Sequence, residues 1–400
     1  MKAQPIAKKV YWVGATDWGI RDFHGYATER GTTYNAYLII DEKITLIDTV
    51  KRPFLDELLA RISSIINPED IDYIVSNHAE MDHAGCLKEL IEIAKPEKVF
   101  ASPMGIKTLE SHYNCDLNIT PVKTGESLSL GENTLTFIET KMLHWPDSMI
   151  CYLPEQEILF SQDAFGMHLA TREIFDDNIP EYILEWESEK YFANILMNYS
   201  EKILTLLKDV KAMNIPIRLL ANDHGPIWRK HTNKIISLYE KWATHAYTPK
   251  AIVLYDTMWG ATAKMAAYIN DGIADTGIEV KTIPMSSSHR SDVATEILSA
   301  SALVIGSPTL NNNIFPSIAD VITYLKGLKP KNLIGASFGS YGWSGEALKQ
   351  LNGFLTDMNV EVISEGIRVK FTPTEDDLAK CYALGQEIGQ ALKDKCIKNQ

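Results

Sequence analysis

The stretch "IDYIVSNHAEMDHAG" occupies residues 71–85. Ile71 to Val75 form a short apolar run with the character of a buried strand. His78, Glu80, Asp82 and His83 follow immediately. A loop held by the end of a strand can turn several side chains toward one point and keep them there. A single histidine in such a loop is an ordinary polar residue, and Asp82 is a good cap for a helix starting near Gly85. Two histidines and two acids spaced H-x-E-x-D-H outweigh that reading and point to a bound metal.

Three later stretches supply further ligands in a similar setting. "KMLHWPDSM" (141–149) offers His144, "ILFSQDAFG" (158–166) offers Asp163 directly after an apolar run, and "LLANDHGPIW" (219–228) offers His224. Each is weak alone, and the shared strand-then-ligand context strengthens all of them. The arrangement resembles the metallo-β-lactamase fold, an αβ/βα sandwich with a two-metal site at its strand ends. Zinc hydrolases of that fold usually carry H-x-H-x-D-H, and Glu80 stands where the second of those histidines would be. Glu80, Asp82 and Asp163 then give three carboxylates beside imidazoles, a donor set that suits iron. Zinc has no redox chemistry and gains little from the exchange.

Around these motifs, the first half reads as short strands with scattered helices. "SLSLGENTLTFIET" is a hairpin turning at Gly131-Glu132-Asn133, and "MICYLPEQEILFSQDAF" is a second. "FLDELLARISSII" has helical spacing, and residues 188–213 read as a long amphipathic helical stretch. Near residue 248 the style changes to buried strands alternating with helices, the pattern of a parallel sheet covered on both faces. Pro249 marks the boundary, giving domains 1–248 and 249–400.

In the second half, "YDTMWGAT" (255–262) joins a strand to a helix. Thr257, the backbone of Met258, Trp259, Gly260 and Ala261, and Thr262 are placed to wrap one phosphate at the helix start. The stretch is neither a P-loop nor G-x-G-x-x-G, so FMN fits better than a dinucleotide. Ordinary capping threonines would explain it equally well on its own. Two more loops at strand ends decide for the flavin. One is "GSPTLNNN", with Pro308, Thr309, Leu310, Asn311 and Asn312. The other is "GSYGWSGE", with Ser340, Tyr341, Gly342, Trp343, Ser344 and Gly345. Trp259, Tyr341 and Trp343 offer flat faces to an isoalloxazine ring.

The whole chain resembles the flavodiiron proteins, also called A-type flavoproteins. The resemblance runs in order through "DFHGYATERGTTYNAYLI", "SNHAEMDHAG", "LHWPDSM", "LFSQDAFG", "HGPIWR", "YDTMWGAT", "GSPTLNN" and "SYGWSGEA". It implies FMN and two non-haem irons. One iron takes His78, Glu80 and His144, the other takes Asp82, His83 and His224, and Asp163 bridges them. It places His24 over the substrate pocket as a hydrogen-bond donor. Gln162 stands where many members have cysteine, and Gly260 where many have a larger polar residue. The implied reaction is reduction of dioxygen to water or of nitric oxide to nitrous oxide. The implied assembly is a head-to-tail homodimer, or a dimer of such dimers, fed by rubredoxin or a similar small electron carrier. "LKGLKPKN" (325–332) is a candidate docking patch for that carrier, against the plainer reading of a solvated lysine cluster.

Bulk properties narrow the field further. The 400 residues suit two or three domains, and 45% hydrophobic and 23% charged content are those of a globular protein. A net charge of −13 argues against nucleic acid or an anionic membrane as partner. No apolar run approaches a membrane span and no signal core is evident, so the expected location is the cytoplasm. Five widely spaced cysteines suggest neither a disulfide framework nor a cysteine-ligated metal. Two rival readings are a dizinc hydrolase of the same fold with an accessory flavodoxin domain, disfavoured by Glu80, and an electron-transfer flavoprotein whose first half is only structural.

Overall fold

The computed structural model describes residues 1–398. It falls into two compact units, Met1–Tyr191 with Tyr199–Glu240, and Phe192–Asn198 with the chain from Lys241 onward.

The first unit carries two large sheets and two short two-stranded ribbons, Ala15–Asp17 with Thr32–Tyr34 and Asp22–Phe23 with Tyr26–Ala27. Strands β1 (Gln4–Ala7), β2 (Val10–Trp12), β3 (Tyr37–Ile39), β4 (Thr45–Ile47), β5 (Tyr73–Ser76), β6 (Lys98–Ala101) and β7 (Ile119–Pro121) lie side by side in that order. Strands β8 (Ser127–Ser129), β9 (Thr134–Glu139), β10 (Met149–Leu153), β11 (Ile158–Gln162) and β12 (Leu219–Asn222) form the second sheet, also in chain order. The two-residue period of each strand sorts side chains into layers. Tyr37, Ile39 and Val75 meet Phe137, Met149, Cys151, Ile158 and Phe160 in one core between the sheets. Leu38, Leu46 and Ile74 face the other way, onto Leu58 and Ile62 of α1 (Leu55–Ile62) and Leu87 and Leu90 of α2 (Leu87–Ala94). Ile150, Tyr152 and Leu159 face outward on the second sheet toward Leu206, Ile215 and Ile217. The result is the expected αβ/βα sandwich.

The two hairpins form as read, β8 with β9 and β10 with β11, both antiparallel. One outweighed alternative falls away and one local expectation does not hold. Asp82 caps no helix near Gly85: it lies inside a short helical turn, Met81–Ala84, and α2 starts at Leu87 behind Cys86. The stretch 188–213 is not one helix either. After α3 (Pro103–Tyr113), α4 (Glu181–Tyr191) gives way to a π-helical turn at Phe192–Leu196 and a 3-10 turn at Met197–Tyr199 before α5 (Ser200–Met213). Tertiary bonds override the helical period there. Asn194 Nδ2 donates to the Ser291 carbonyl at 3.1 Å, and the Tyr324 hydroxyl donates to Asn194 Oδ1 at 2.8 Å.

Glu187 on α4 is buried, with Arg30 Nε 3.0 Å from its Oε1. Burial raises its pKa from 4.5 to about 7, against the pull of Lys190 and Arg30. Below pH 4.5 the group is protonated folded and unfolded. Above that the unfolded chain ionises first, so stability falls as pH rises to about 7, by about 3 kcal/mol. Urea unfolding of the wild type should lose that much relative to Glu187→Gln between pH 4.5 and 7.5. Parallel pH profiles for the two proteins would count against it.

In the second unit, after α6 (Thr232–Thr244), strands β13 (Lys250–Tyr255), β14 (Glu279–Pro284), β15 (Ala302–Gly306), β16 (Ile334–Tyr341) and β17 (Glu361–Val362) make a parallel sheet. Its order is β14-β13-β15-β16-β17, and β18 (Ile367–Lys370) also pairs with β16. Both faces are buried. Ala251, Val253, Val304 and Ala336 pack on α7 (Ala261–Ala274) and α11 (Glu375–Lys398). Ile252, Leu254, Leu303 and Ile305 are equally inaccessible on the opposite face. The remaining helices are α8 (Arg290–Leu298), α9 (Pro316–Leu328) and α10 (Glu346–Asp357). This is the doubly wound, flavodoxin-like order.

Helices α7 and α11 cross backbone to backbone. A Cβ on Gly385 would lie 2.2 Å from the Ile269 carbonyl, and one on Gly272 would lie 2.1 Å from the Tyr382 carbonyl. Alanine normally stabilises a helix over glycine by ~1 kcal/mol. At Gly385 the clash reverses the sign, and Gly385→Ala should destabilise this unit by about 2 kcal/mol. Thermal unfolding followed by tryptophan fluorescence tests this, and a raised midpoint would refute it.

Candidate metal centre and flavin cleft

The seven expected metal-site residues converge in the first unit, most of them just beyond the end of a strand. His78 and Glu80 follow β5, with Asp82 and His83 on the helical turn behind them. His144 lies between β9 and β10, Asp163 follows β11 and His224 follows β12. Two clusters result, His78, Glu80, His144 and Asp163 in one, and Asp82, His83 and His224 in the other.

Asp163 ties them together. Its Oδ2 lies 3.1 Å from His144 Nε2 and 3.4 Å from His78 Nε2. Its Oδ1 lies 3.1 Å from His83 Nε2 and 3.4 Å from His224 Nε2. Each oxygen therefore faces one pair of imidazoles. Glu80 Oε2 sits 3.3 Å from His78 Nε2 and 3.2 Å from His144 Nε2. Asp82 reaches His83 Nε2 at 3.4 Å through Oδ1 and His224 Nε2 at 3.2 Å through Oδ2.

Outer partners fix the rings. His78 Nδ1 lies 2.8 Å from Asp147 Oδ2, and His224 Nδ1 lies 2.6 Å from the Thr33 carbonyl. Both bonds require Nδ1 to carry the proton when the ring is neutral, which turns the Nε2 lone pair toward the centre. Asp223 Oδ2 stands 3.5 Å from His83 Nδ1. Nothing in the linear motif marks Asp147 as a ring partner or sets Asp223 beside His83; only the tertiary pairing does.

The site is largely buried and polar. His78, His83, Asp163 and His224 are each 1% exposed. His78 Nε2, both ring nitrogens of His83, both oxygens of Asp82 and Asp163 Oδ1 are buried without a hydrogen-bond partner. Buried polar atoms are seldom orphaned, and so many aimed at one point fit a cation. Burial disfavours charge on His78, but Asp147, Glu80 and Asp163 lift its pKa well above the ordinary value. Burial likewise opposes ionisation of Asp163, yet His83, His144 and His224 hold it well below the carboxylate range. These acids stay ionised, as metal ligands must.

His24 lies at the mouth. Its exposed ring lines a cavity of about 550 Å³ with Phe23, Lys51, Glu80 and Asp82, and its Nε2 is 3.6 Å from Glu80 Oε1. Gln162 is fully buried, with Nε2 donating to the Leu143 carbonyl and Oε1 accepting from Asp163 N at 2.7 Å. It positions the Asp163 backbone.

In the second unit a cleft of about 690 Å³ opens where β13, β15 and β16 end. It is lined by Met258, Trp259, Gly260, Ala261, Thr309, Leu310, Asn311 and Asn312, and by Ser340, Tyr341, Gly342, Trp343 and Ser344. Thr257, Thr262, Pro308 and Gly345 are not on its wall. Thr257 Oγ1 accepts from Gly260 N at 3.1 Å and so shapes the turn, and Gly260 sits at φ +86°. Thr262 is fully buried with its hydroxyl 3.0 Å from Ser340 Oγ, not free at the surface. Lys264, Phe371, Thr372 and Pro373 also line the cleft and escaped sequence reasoning. Trp259 and Trp343 are 96% and 86% exposed and present flat apolar surface. That suits a planar ring system, and the start of α7 suits its phosphate.

A sandwich carrying a two-cluster, carboxylate-rich metal site, together with a flavodoxin-like sheet, defines the flavodiiron proteins, and the chain belongs to that family. It is an oxidoreductase, and FMN and a diiron site are its cofactors. Residues 32–225 match the model of the ODP family beta lactamases, and residues 253–385 match that of flavodoxin. A nitric oxide reductase of Moorella thermoacetica is 46% identical over 98% of this chain and 100% of its own length. A rubredoxin-oxygen oxidoreductase of Megalodesulfovibrio gigas is 43% identical over 99% of each. Among solved structures, rubredoxin oxygen:oxidoreductase from Desulfovibrio gigas superposes with a TM-score of 0.97 at 43% identity, covering 98% of this chain and 99% of that one. The flavodiiron protein of Giardia intestinalis gives 0.96 at 36%, covering 100% and 98%. No described helix is long and apolar enough to cross a membrane.

Proposed function

We propose that this chain reduces dioxygen to water or nitric oxide to nitrous oxide at two irons held as the two clusters describe. His78, Glu80 and His144 would hold one iron and Asp82, His83 and His224 the other, with Asp163 placed to serve both. The observation that carries this reading is the division of the Asp163 oxygens between two imidazole pairs. Bound FMN supplies single-electron relay, and the diiron pair supplies the redox centre where the gas is reduced. Asp147 and the Thr33 carbonyl hold ligand rings in their productive tautomer. His24 at the mouth offers an imidazole N–H to the incoming gas and the departing water. The start of α7 would hold the FMN phosphate, and Trp259, Tyr341 and Trp343 would offer their faces to the ring. The diiron domain is drawn as residues 1–248 and the FMN domain as 249–400, within a cytoplasmic protein. Metal analysis, the visible flavin spectrum and anaerobic consumption of each gas test the reading. Two zincs with hydrolytic activity and no flavin would overturn it.

The electron donor is a rubredoxin-type carrier, since a rubredoxin-oxygen oxidoreductase is among the relatives. We further propose a head-to-tail homodimer in which the flavin of one protomer serves the irons of its partner. Mixing a flavin-free variant, Ala261→Asp, with an iron-free variant, Asp163→Ala, gives mixed dimers with one intact pair of sites across the interface. Gas reduction should recover. Mixed dimers shown to form by mass spectrometry yet inactive would mean that electrons travel within one chain.

A further inference from the structure

Trp145 stands beside the metal centre with no part in the scheme above. Its ring centroid lies 5.3 Å from that of His78, edge-on at 88°, and 6.0 Å from that of His144. On its other side His112 lies nearly parallel to it, at 6.3 Å and 23°. His78 is buried, Trp145 half-buried and His112 exposed. Three rings thus step from a metal-site imidazole to solvent. The tyrosines around the site do not reach outward: Tyr34 and Tyr191 are 0% and 2% exposed.

We propose that Trp145 is a redox outlet, giving up one electron when the metal centre is oxidised with too few electrons at hand, and so sparing the ligand imidazoles. This rests on the assignment of His78 and His144 as iron ligands. Indole is among the most easily oxidised side chains, and electron transfer falls steeply with distance, which favours a ring in contact with a ligand. The balance is simple with hydrogen peroxide as oxidant. Peroxide becomes two waters by taking two electrons and two protons. When the metals have one electron to give, the indole gives the other. The indole N–H proton is released as one of the two protons consumed, and solvent supplies the second. A neutral indolyl radical remains. A small thiol at the exposed edge then returns one hydrogen atom to it, and two thiyl radicals pair as a disulfide.

The test is freeze-quench electron paramagnetic resonance of the partly reduced, iron-loaded protein mixed with hydrogen peroxide, with iron content measured in every sample. The wild type should give a radical whose lineshape changes when tryptophan is deuterated on the indole. Trp145→Phe should lose that signal while keeping its iron. Peptide mapping after prolonged peroxide should find oxygen-addition products at Trp145 in the wild type and at His78 or His144 in Trp145→Phe. His112→Ala, a surface change that leaves the fold intact, should keep the radical but slow its decay by added thiol several-fold. An unchanged radical in iron-loaded Trp145→Phe overturns the proposal. So does an iron-loaded wild type with neither a tryptophan radical nor oxidation at Trp145. A wild type without iron overturns the ligand assignment and this proposal together. If Trp145→Phe fails to hold iron, labelling and mapping of the wild type decide alone.

Discussion

Asp163→Ala is expected to leave the purified protein with neither metal and no gas reduction. Removing an outer partner of a metal ligand typically costs ~10–100-fold in affinity. Asp163 is more central, because its two oxygens each face a different imidazole pair, at 3.1 and 3.4 Å on either side. Truncation removes a donor from both clusters in one step. It also removes the anion that keeps two positive centres close together. His144→Ala gives the contrast. It takes one donor from one cluster and should lower iron toward one per chain. Metal analysis of both variants, with circular dichroism as a folding check, separates the cases. Full iron in Asp163→Ala would exclude the bridge, and equal losses in the two variants would show that the clusters are not independent.

Ala261→Asp is expected to abolish flavin retention while iron stays bound. Ala261 opens α7 and lines the cleft. Aspartate at the first turn of a helix is favourable for the helix itself, so the unit should stay folded. The same carboxylate stands where a phosphate would be held. Two unit charges ~4 Å apart repel by ~4 kcal/mol at the effective dielectric of a protein surface, roughly a thousandfold in affinity. The readout is the visible spectrum after gel filtration. Thr262→Asp would be a poorer probe, because Thr262 is fully buried and a charge there threatens the fold as well as the ligand. Retained flavin in Ala261→Asp would move the phosphate away from the start of α7.

The sandwich and the doubly wound sheet were legible because strand alternation and strand–helix alternation are local properties. The residues that converge in the first unit could be picked out for a related reason: most of them follow an apolar run that can be read without its neighbours. Asp147 and Asp223 could not, since only the approach of separate strand ends sets them against His78 and His83. Phe371, Thr372 and Pro373 escaped because β18 joins the sheet beside β16, a pairing no local pattern announces. Asp82 has the composition of a cap and sits instead inside a helical turn, and the apolar period through residue 192 reads as helix although Asn194 bonds to Ser291 and Tyr324.

That last segment bears on how the molecule can be dissected. Phe192–Asn198 belongs to the flavodoxin-like unit although the chain Tyr199–Glu240 separates it from the rest. A fragment begun at residue 249, the natural place to cut, would lack it. Such a fragment would present the Ser291 carbonyl and the Tyr324 hydroxyl stripped of Asn194, along with apolar surface formerly beneath Phe192 and Leu196. A stable excised flavoprotein therefore calls for a circularly permuted gene, or for residues 192–198 supplied as a separate peptide, rather than a simple truncation.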